Sequence, residues 1–391
     1  KLRETVYRQI AARRLEDKSS FDDLYHQLIN LRDQVGKNAD FQNFRDYMFA
    51  AMGRFDYTPQ DCFDFHDAVA QEVVPLLNDS ATDRKKRLGV MELMPWDKAV
   101  DADGANPLKA FDSGADLLEK SIQCFQNIDP YLGECLSTMK EMGHLDLESR
   151  KGKAPGGYNY PLAEVGVPFI FMNATSTLRD MVTLMHEGGH AVHSFLTKDL
   201  ELGDFKHTPS EVAELASMSM ELISMDQWHL FFNNEADLKR AKKEHLTQII
   251  DTLPWVATID KFQHWIYEHP THTVEERLEQ WNVIFDQFAD NITNWEGLEE
   301  QKNYLWQRQL HLYEVPFYYI EYGMAQLGAI AVWKNYKEDP QKGLDGYLNA
   351  LKLGYKKSIP EVYAAANIKF DFSRAYIKDL MTFVREELEK I

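Results

Sequence analysis

Cysteine is scarce in this 391-residue sequence: Cys62, Cys124 and Cys135 are the only three, an odd number without any C-x-x-C spacing. Neither a disulfide framework nor a cysteine zinc site of the usual spacing is indicated, and reduced cytoplasmic thiols are the expectation. Positive charge is also in short supply. The 43 Lys and Arg face 62 Asp and Glu, a formal charge of −19, and no long Lys/Arg run offers itself to phosphates, which argues against a nucleic-acid partner. No apolar run reaches the roughly 18 residues a bilayer-spanning helix needs, so no membrane partner is expected. Lys1 to Ser20 has no uninterrupted apolar signal core, and internal repeats and low-complexity tracts are missing. The chain opens at Lys1 without an initiator Met, so a further segment ahead of it is expected.

What is present is helical pattern. Hydrophobic content of 44% and aromatic content of 12% describe a well-packed globular chain. From Lys1 to about Gly143, runs such as Phe21-Leu24-Leu28-Leu31 and Phe63-Val69-Val73-Leu76 follow the helical period, with Asn78-Asp79-Ser80 read as a turn or N-cap cluster and Pro95 to Ala105 as a loop. Cys62 lies four before His66 on one such helix. Two donors alone do not make a metal site, so His66, like His26, is read as structural. Residues 1–148 are expected to form a helical scaffold lobe and 149–391 the region that carries the chemistry.

The character changes at Ser149-Arg150-Lys151-Gly152-Lys153-Ala154-Pro155-Gly156-Gly157. This basic, glycine-rich loop lacks the G-x-x-x-x-G-K-[ST] order of a phosphate cradle and is read as a flexible loop beside a cleft. Tyr158 to Tyr160 and Val165 to Asn173 are strand-like and predict a small sheet. Such a sheet either holds an extended peptide along its edge or merely positions the helix that follows.

That helix carries His186-Glu187-Gly188-Gly189-His190, an H-E-x-x-H pattern. Residues four apart share a helix face, so two imidazoles can converge on one zinc ion while the intervening Glu187 stands beside the open position as general base for a water. Thr177 with Asp180 gives a capping-box start, and Met181, Leu184, Met185, Val192, Phe195 and Leu196 keep the helical spacing. The glycine pair costs roughly 1 kcal/mol per residue relative to alanine, which asks for a reason such as close backbone approach.

A catalytic zinc needs a third protein ligand. His193 shares the helix face but is displaced along the axis, so it is read as packing or orienting a ligand rather than binding the ion. The better source is Thr208 to Glu221, where Thr208 and Glu211 predict a capping box with Pro209 at the first helical position. Glu211, Glu214, Met218 and Glu221 fall near one face. Glu211 is expected to be occupied in the cap, which leaves Glu214 inside the helix.

The order H-E-x-x-H, Glu214 at 28 residues from His186 and Glu221 seven further on resembles the thimet oligopeptidase and oligoendopeptidase F family of zinc metallopeptidases, the oligoendopeptidase F branch more closely. The loop ending in Tyr158, Pro168-Phe169-Ile170, Asn173, Pro209-x-Glu211 and the His311-x-Tyr313-x-x-Pro316-Phe317-Tyr318 segment with Tyr322 recur in the family's order. The resemblance implies one zinc per chain on His186, His190 and Glu214, with Glu187 as base. By their chemistry His311, Tyr318 and Tyr322 suit as donors to the oxyanion, and Tyr318 and Tyr322, four apart, are spaced to share a helix face. Glu221 is read as orienting a ligand histidine, and Tyr158 and Gly157 as touching substrate.

The expected fold is all-α, with a small β-sheet next to the active site and a deep groove that admits short peptides and excludes folded proteins. Gly188 departs from the family, whose members usually have Phe or Leu there, and usually carry a helical segment ahead of the region matched by Lys1. The expected activity is hydrolysis of internal bonds in short oligopeptides. Two alternatives remain: a zinc carboxypeptidase on a related helical fold, and a non-catalytic peptide-binding protein, against which the intact Glu187 argues. Oligomeric state is not legible.

Overall fold

The computed structural model describes residues 1–391, and the fold is mostly helical with one three-stranded sheet. No helix is long and apolar enough to cross a membrane. Contacts divide the chain into two compact units: Lys1–Asn106 with Ile249–Gly323 and Phe372–Met381, and Pro107–Gln248 with Met324–Asp371 and Thr382–Ile391. The division follows a different line from the expected break at 148. Each unit is discontinuous in sequence, and three of the five breaks fall inside the helices Glu235–Glu268, Ile320–Glu338 and Arg374–Lys390.

The first unit begins with the helices Leu2–Glu16, Lys18–Asn38, Phe44–Ala51, Pro59–Glu72 and Val74–Leu88. Pro59 starts its helix at no hydrogen-bond cost, behind a capping box of Thr58 and Asp61. Asn78-Asp79-Ser80 does not form the expected turn and lies inside Val74–Leu88. Burial of Val74, Leu76 and Ala81 outweighs the weak helix propensity of those three residues, and Asn78 accepts the backbone N–H of Asn291 at 2.9 Å. The core holds Tyr25, Phe262, Trp281 and Trp306, with Arg277 fully buried among them. Its guanidinium lies over the rings of Tyr25 and Trp306 and pairs with Asp22 at 3.3 Å, which compensates the desolvated charge.

The second unit contains the sheet. Strands β1 (Leu145–Glu148), β2 (Tyr158–Tyr160) and β3 (Phe169–Ala174) lie in the order β1-β3-β2, with β1 parallel and β2 antiparallel to β3. β1 has no counterpart in the sequence reading: four residues are too few for a period to show, and its pairing comes from β3. The strand that leads into the H-E-x-x-H helix is therefore central and paired on both sides. The sheet's two edges belong to β1 and β2.

The loop before β2 is tied down rather than loose. Arg150 donates two hydrogen bonds to Asp146, at 2.6 and 2.8 Å, and Lys153 donates to Asp146 and to the Glu148 carbonyl. Asn173 in β3 donates to the carbonyls of Ala154 and Gly156 at 2.7 and 3.0 Å. Arg150 and Lys153 are thus both paired with Asp146.

Beyond β3, the helix Leu178–Thr197 starts at the expected Thr177 and Asp180 capping box, and Asp180 also accepts the Thr175 N–H. Met181, Leu184, Met185 and Val192 on this helix are fully buried, each contributing about 1.5–3 kcal/mol of transfer free energy. The helix packs against Ser210–Ser224, which begins one residue later than expected, with Pro209 as its N-cap. No side chain caps that end, so the Thr208 and Glu211 box is not formed. Pro209 is itself the N-cap, its carbonyl accepting the Val212 and Ala213 N–H groups at 2.9 and 3.0 Å, so Thr208 stands outside the helix.

Candidate functional site

The two packed helices of the second unit bring His186, His190 and Glu214 together. His186 Nε2 lies 3.2 Å and His190 Nε2 3.7 Å from the same Glu214 oxygen, and the two rings stand nearly perpendicular, 4.9 Å apart. What permits the approach is Gly189. A Cβ on Gly189 would fall 2.7 Å from the Ala216 carbonyl oxygen and the Ser217 Cα, so the helices touch backbone to backbone there. A Cβ on Gly188 would meet the ring tip of Phe125 at 2.6 Å. Tyr347 then donates to the Ala216 carbonyl at 2.7 Å, fixing that turn of the second helix.

Each converging group is held from behind. Glu221 accepts the Nδ1–H of His186 at 2.6 Å, and Nε2 of the same ring faces Glu214. Burial would lower the His186 pKa, yet hydrogen bonds to Glu214 and Glu221 outweigh it and hold the ring well above its ordinary value. Glu214 is opposed by burial in the other sense, but His186, His190 and the Ser217 hydroxyl, 3.0 Å away, bring its carboxyl down to about 2. His190 falls to about 4 through burial. Two carboxylates on one imidazole make a cation-seeking pocket.

The donor set fits zinc. The three ligand atoms lie within 4.8 Å of one another. Ligands about 2.0–2.2 Å from a tetrahedral zinc stand about 3.3 Å apart, against the 3.2 and 3.7 Å observed here. The side chains of His186 and His190 remain 22% and 20% exposed, so one side of the cluster is open. Glu187 is buried beside it, and burial, with the charges of Glu214 and Glu221, pushes its carboxyl up to about 7 against the pull of His186. A hydrogen bond with the Asn159 backbone ties it to β2.

Gly157 presses against the same helix, where a Cβ would lie 3.2 Å from Thr183 Cγ2. Tyr158 stacks on Phe171 at 5.1 Å with half its surface exposed. His193 is buried with its ring on the Leu351 carbonyl, and burial lowers it to about 4. Glu211 is buried as well, its backbone carbonyl accepting the Tyr363 hydroxyl at 3.0 Å.

His311, Tyr318 and Tyr322 belong to the first unit and form a group of their own. The His311 ring lies 6.1 Å from Tyr318 and 5.8 Å from Tyr322, and the two tyrosines are 5.4 Å apart. The helix begins only at Ile320, so the tyrosines do not share a helix face; a turn brings Tyr318 back. In that turn Phe317 is fully buried at φ +65°, a strained conformation for an aromatic residue. Gln263 accepts its N–H at 2.8 Å, and Arg54, paired with Glu321 at 2.5 Å, donates to its carbonyl. The Gln309 amide donates to His311 Nδ1 at 2.7 Å, which leaves the ring proton on Nε2.

A family model described as peptidase family M3 matches residues 1–382. The chain belongs to peptidase family M3. Similar M3 relatives include the oligoendopeptidase F homolog of Borreliella burgdorferi, 26% identical over 298 residues, which covers 73% of this chain and 48% of the relative. The oligoendopeptidase F homolog of Lactococcus lactis subsp. lactis is 26% identical over 346 residues, covering 86% and 56%. The solved structure of PZ peptidase A with inhibitor 2 superposes with a TM-score of 0.92 at 30% identity, over 100% of this chain and 69% of that one. These likenesses put the M3 chain on the oligoendopeptidase F branch. The chain spans about half the length of the two curated relatives.

Three residues around the M3 chain's cluster escaped the sequence reading. Ser217 is an unremarkable helix serine until its hydroxyl meets Glu214. His245 is buried with Nε2 3.6 Å from the second Glu221 oxygen, a contact made across the fold. Asn159 acts through its backbone, which no side-chain pattern reports.

Proposed function

We propose that this M3 chain carries out zinc-dependent hydrolysis of internal peptide bonds in short oligopeptides. The observation that carries the reading is the convergence of His186, His190 and Glu214 beside a buried Glu187 whose carboxyl is pushed up to about 7. His186, His190 and Glu214 would hold one zinc ion, which would supply Lewis acidity to the scissile carbonyl and acidify the attacking water. Glu187 takes the water's proton and delivers it to the departing amine, a transfer favoured when the base titrates near the working pH. Glu221 holds the Nδ1 proton of His186 so that Nε2 keeps its lone pair for the ion, and Ser217 orients Glu214.

The outer edge of β2 is the place for an extended peptide, which would add as a fourth strand beside Tyr158 to Tyr160. Glu187, hydrogen-bonded to Asn159 in that strand, is then tied to the same element that holds the substrate. His311, Tyr318 and Tyr322 are proposed as donors to the developing oxyanion on the strength of the family pattern and their chemistry.

The test is zinc content together with turnover of an internally quenched, end-blocked peptide, for the parent and for Glu187→Gln. Cleavage that collapses in a variant still holding its zinc supports the reading. Zinc without cleavage of the blocked peptide, but with release of a C-terminal residue from an unblocked one, would transfer the chain to the carboxypeptidase class. Failure to bind zinc after reconstitution would remove the ligand assignment.

A further inference from the structure

A second cluster of donor side chains lies in the first unit. Cys62 and His66 stand four residues apart on Pro59–Glu72, and Asp260 and His264 four apart on Glu235–Glu268, so each pair shares a helix face. The four are 0–1% exposed. His66 Nε2 lies 2.9 Å and His264 Nε2 3.2 Å from the same Asp260 oxygen, and ligand atoms of Cys62, Asp260 and His264 all fall within 4.8 Å of one another.

As a hydrogen-bonded group this cluster is poorly served. Asp260 Oδ1, His66 Nδ1 and both ring nitrogens of His264 are buried without a hydrogen-bond partner. His264 Nε2 is close to Asp260, yet it is misaligned for an N–H···O bond. Buried polar atoms are nearly always satisfied, so four orphans in one pocket call for an explanation. The rings of Phe49, Phe63 and Phe317 pack around His264, and Phe288 against His66, giving an apolar surround. In such surroundings an ionised carboxylate is costly unless a cation balances it.

We propose that Cys62, Asp260 and His264, with His66 as fourth donor, bind one divalent ion of the zinc class and tie their two helices together. A thiolate and a carboxylate balance the ion's two charges, and two neutral imidazoles complete an S, O, N, N set suited to tetrahedral zinc. Binding releases the Cys62 thiol proton to solvent, and the His66 ring keeps its single proton on Nδ1. The spacings of 2.9 and 3.2 Å are close to the roughly 3.3 Å between ligands of a tetrahedral zinc. Closed off from solvent on every side, the site holds the fold and takes no substrate.

The test is to produce the full chain in cobalt-supplemented medium and record its near-ultraviolet absorption and metal content. A thiolate-to-cobalt charge-transfer band cannot come from the His186, His190 and Glu214 set, which has no sulfur. The expected result is such a band in the parent, retained in His186→Ala and lost in Cys62→Ser, with metal content falling from about two ions per chain to about one in Cys62→Ser and His264→Gln. A folded parent with no thiolate band, and with His186→Ala removing all bound metal, would overturn the site and leave a buried hydrogen-bonded group. Where Cys62→Ser fails to fold, the parent spectrum and the His186→Ala metal count decide the matter.

Discussion

The cluster around His186 and the cluster around Asp260 each set two imidazoles against one carboxylate oxygen and each use residues four apart on a helix, the second adding a thiol, and they differ in access and in support. The first keeps His186 and His190 about one-fifth exposed and surrounds them with Glu187, Glu221 and Ser217, whose hydrogen bonds fix the orientation of the imidazole and carboxylate groups. The second is closed on all sides, carries no spare acid or base and leaves four polar atoms without hydrogen-bond partners. Convergence of donors alone does not distinguish a reacting centre from a fastening; a free side and a poised proton acceptor do.

The contrast breaks most visibly at Glu187. Glu187→Gln is expected to lower kcat by about a thousandfold, within the range of lost general acid-base catalysis, with thermal stability and metal content unchanged. Steady-state kinetics beside metal analysis checks it. Asp260→Ala should do the reverse: removing one partner of a buried charged group costs about 3–5 kcal/mol of stability, read by urea denaturation, while kcat of the folded fraction stays near that of the parent. Equal loss of activity and stability in both variants would erase the distinction.

Smaller effects sharpen it. Glu221→Gln is expected to cost about 10–100-fold in metal affinity or turnover through His186, measured by competition with a chelator. Gly189→Ala drives a methyl into the Ala216 backbone and should destabilise by about 1–3 kcal/mol, whereas Gly188→Ala meets only the tip of a ring and should cost less; denaturation midpoints order the two.

The smallest effect concerns acid. His272, lowered by burial to about 4, keeps a neutral ring that accepts a hydrogen bond from Arg277 Nε at 2.9 Å and donates to the His269 carbonyl. Because the folded pKa lies below the unfolded value, this contribution is complete above about pH 6.5 and is lost as pH falls from there through 4. Denaturation at pH 7.5 and 5 should show the loss, and His272→Gln should reduce it.

Much of the open cluster was legible because its grammar is local. Thr177 with Asp180, H-E-x-x-H and the spaced glutamates of the next helix lie within one stretch, and helical periodicity alone puts them on facing sides. The capping of Ser210–Ser224 misled because Thr208 has the right type, yet Pro209 moves the helix start. β1 was invisible because its four residues acquire strand character only from β3. The closed cluster was half seen: Cys62 and His66 showed their spacing, but Asp260 lies 194 residues beyond His66, and only folding supplies it. Its one available signal was that Asp260 and His264 repeat the four-residue interval inside a long helix.

The two glycines of the H-E-x-x-H helix have different freedom to drift. At Gly188 the obstacle is the Phe125 side chain, so a larger residue there can be accommodated when residue 125 shrinks. Family members, which usually carry Phe or Leu at this position, should hold a smaller residue at the counterpart of Phe125, the aromatic volume having changed helices. At Gly189 the obstacle is the backbone of Ala216 and Ser217, which no substitution on the partner helix can remove. Position 188 should therefore covary with 125, and position 189 should vary with nothing.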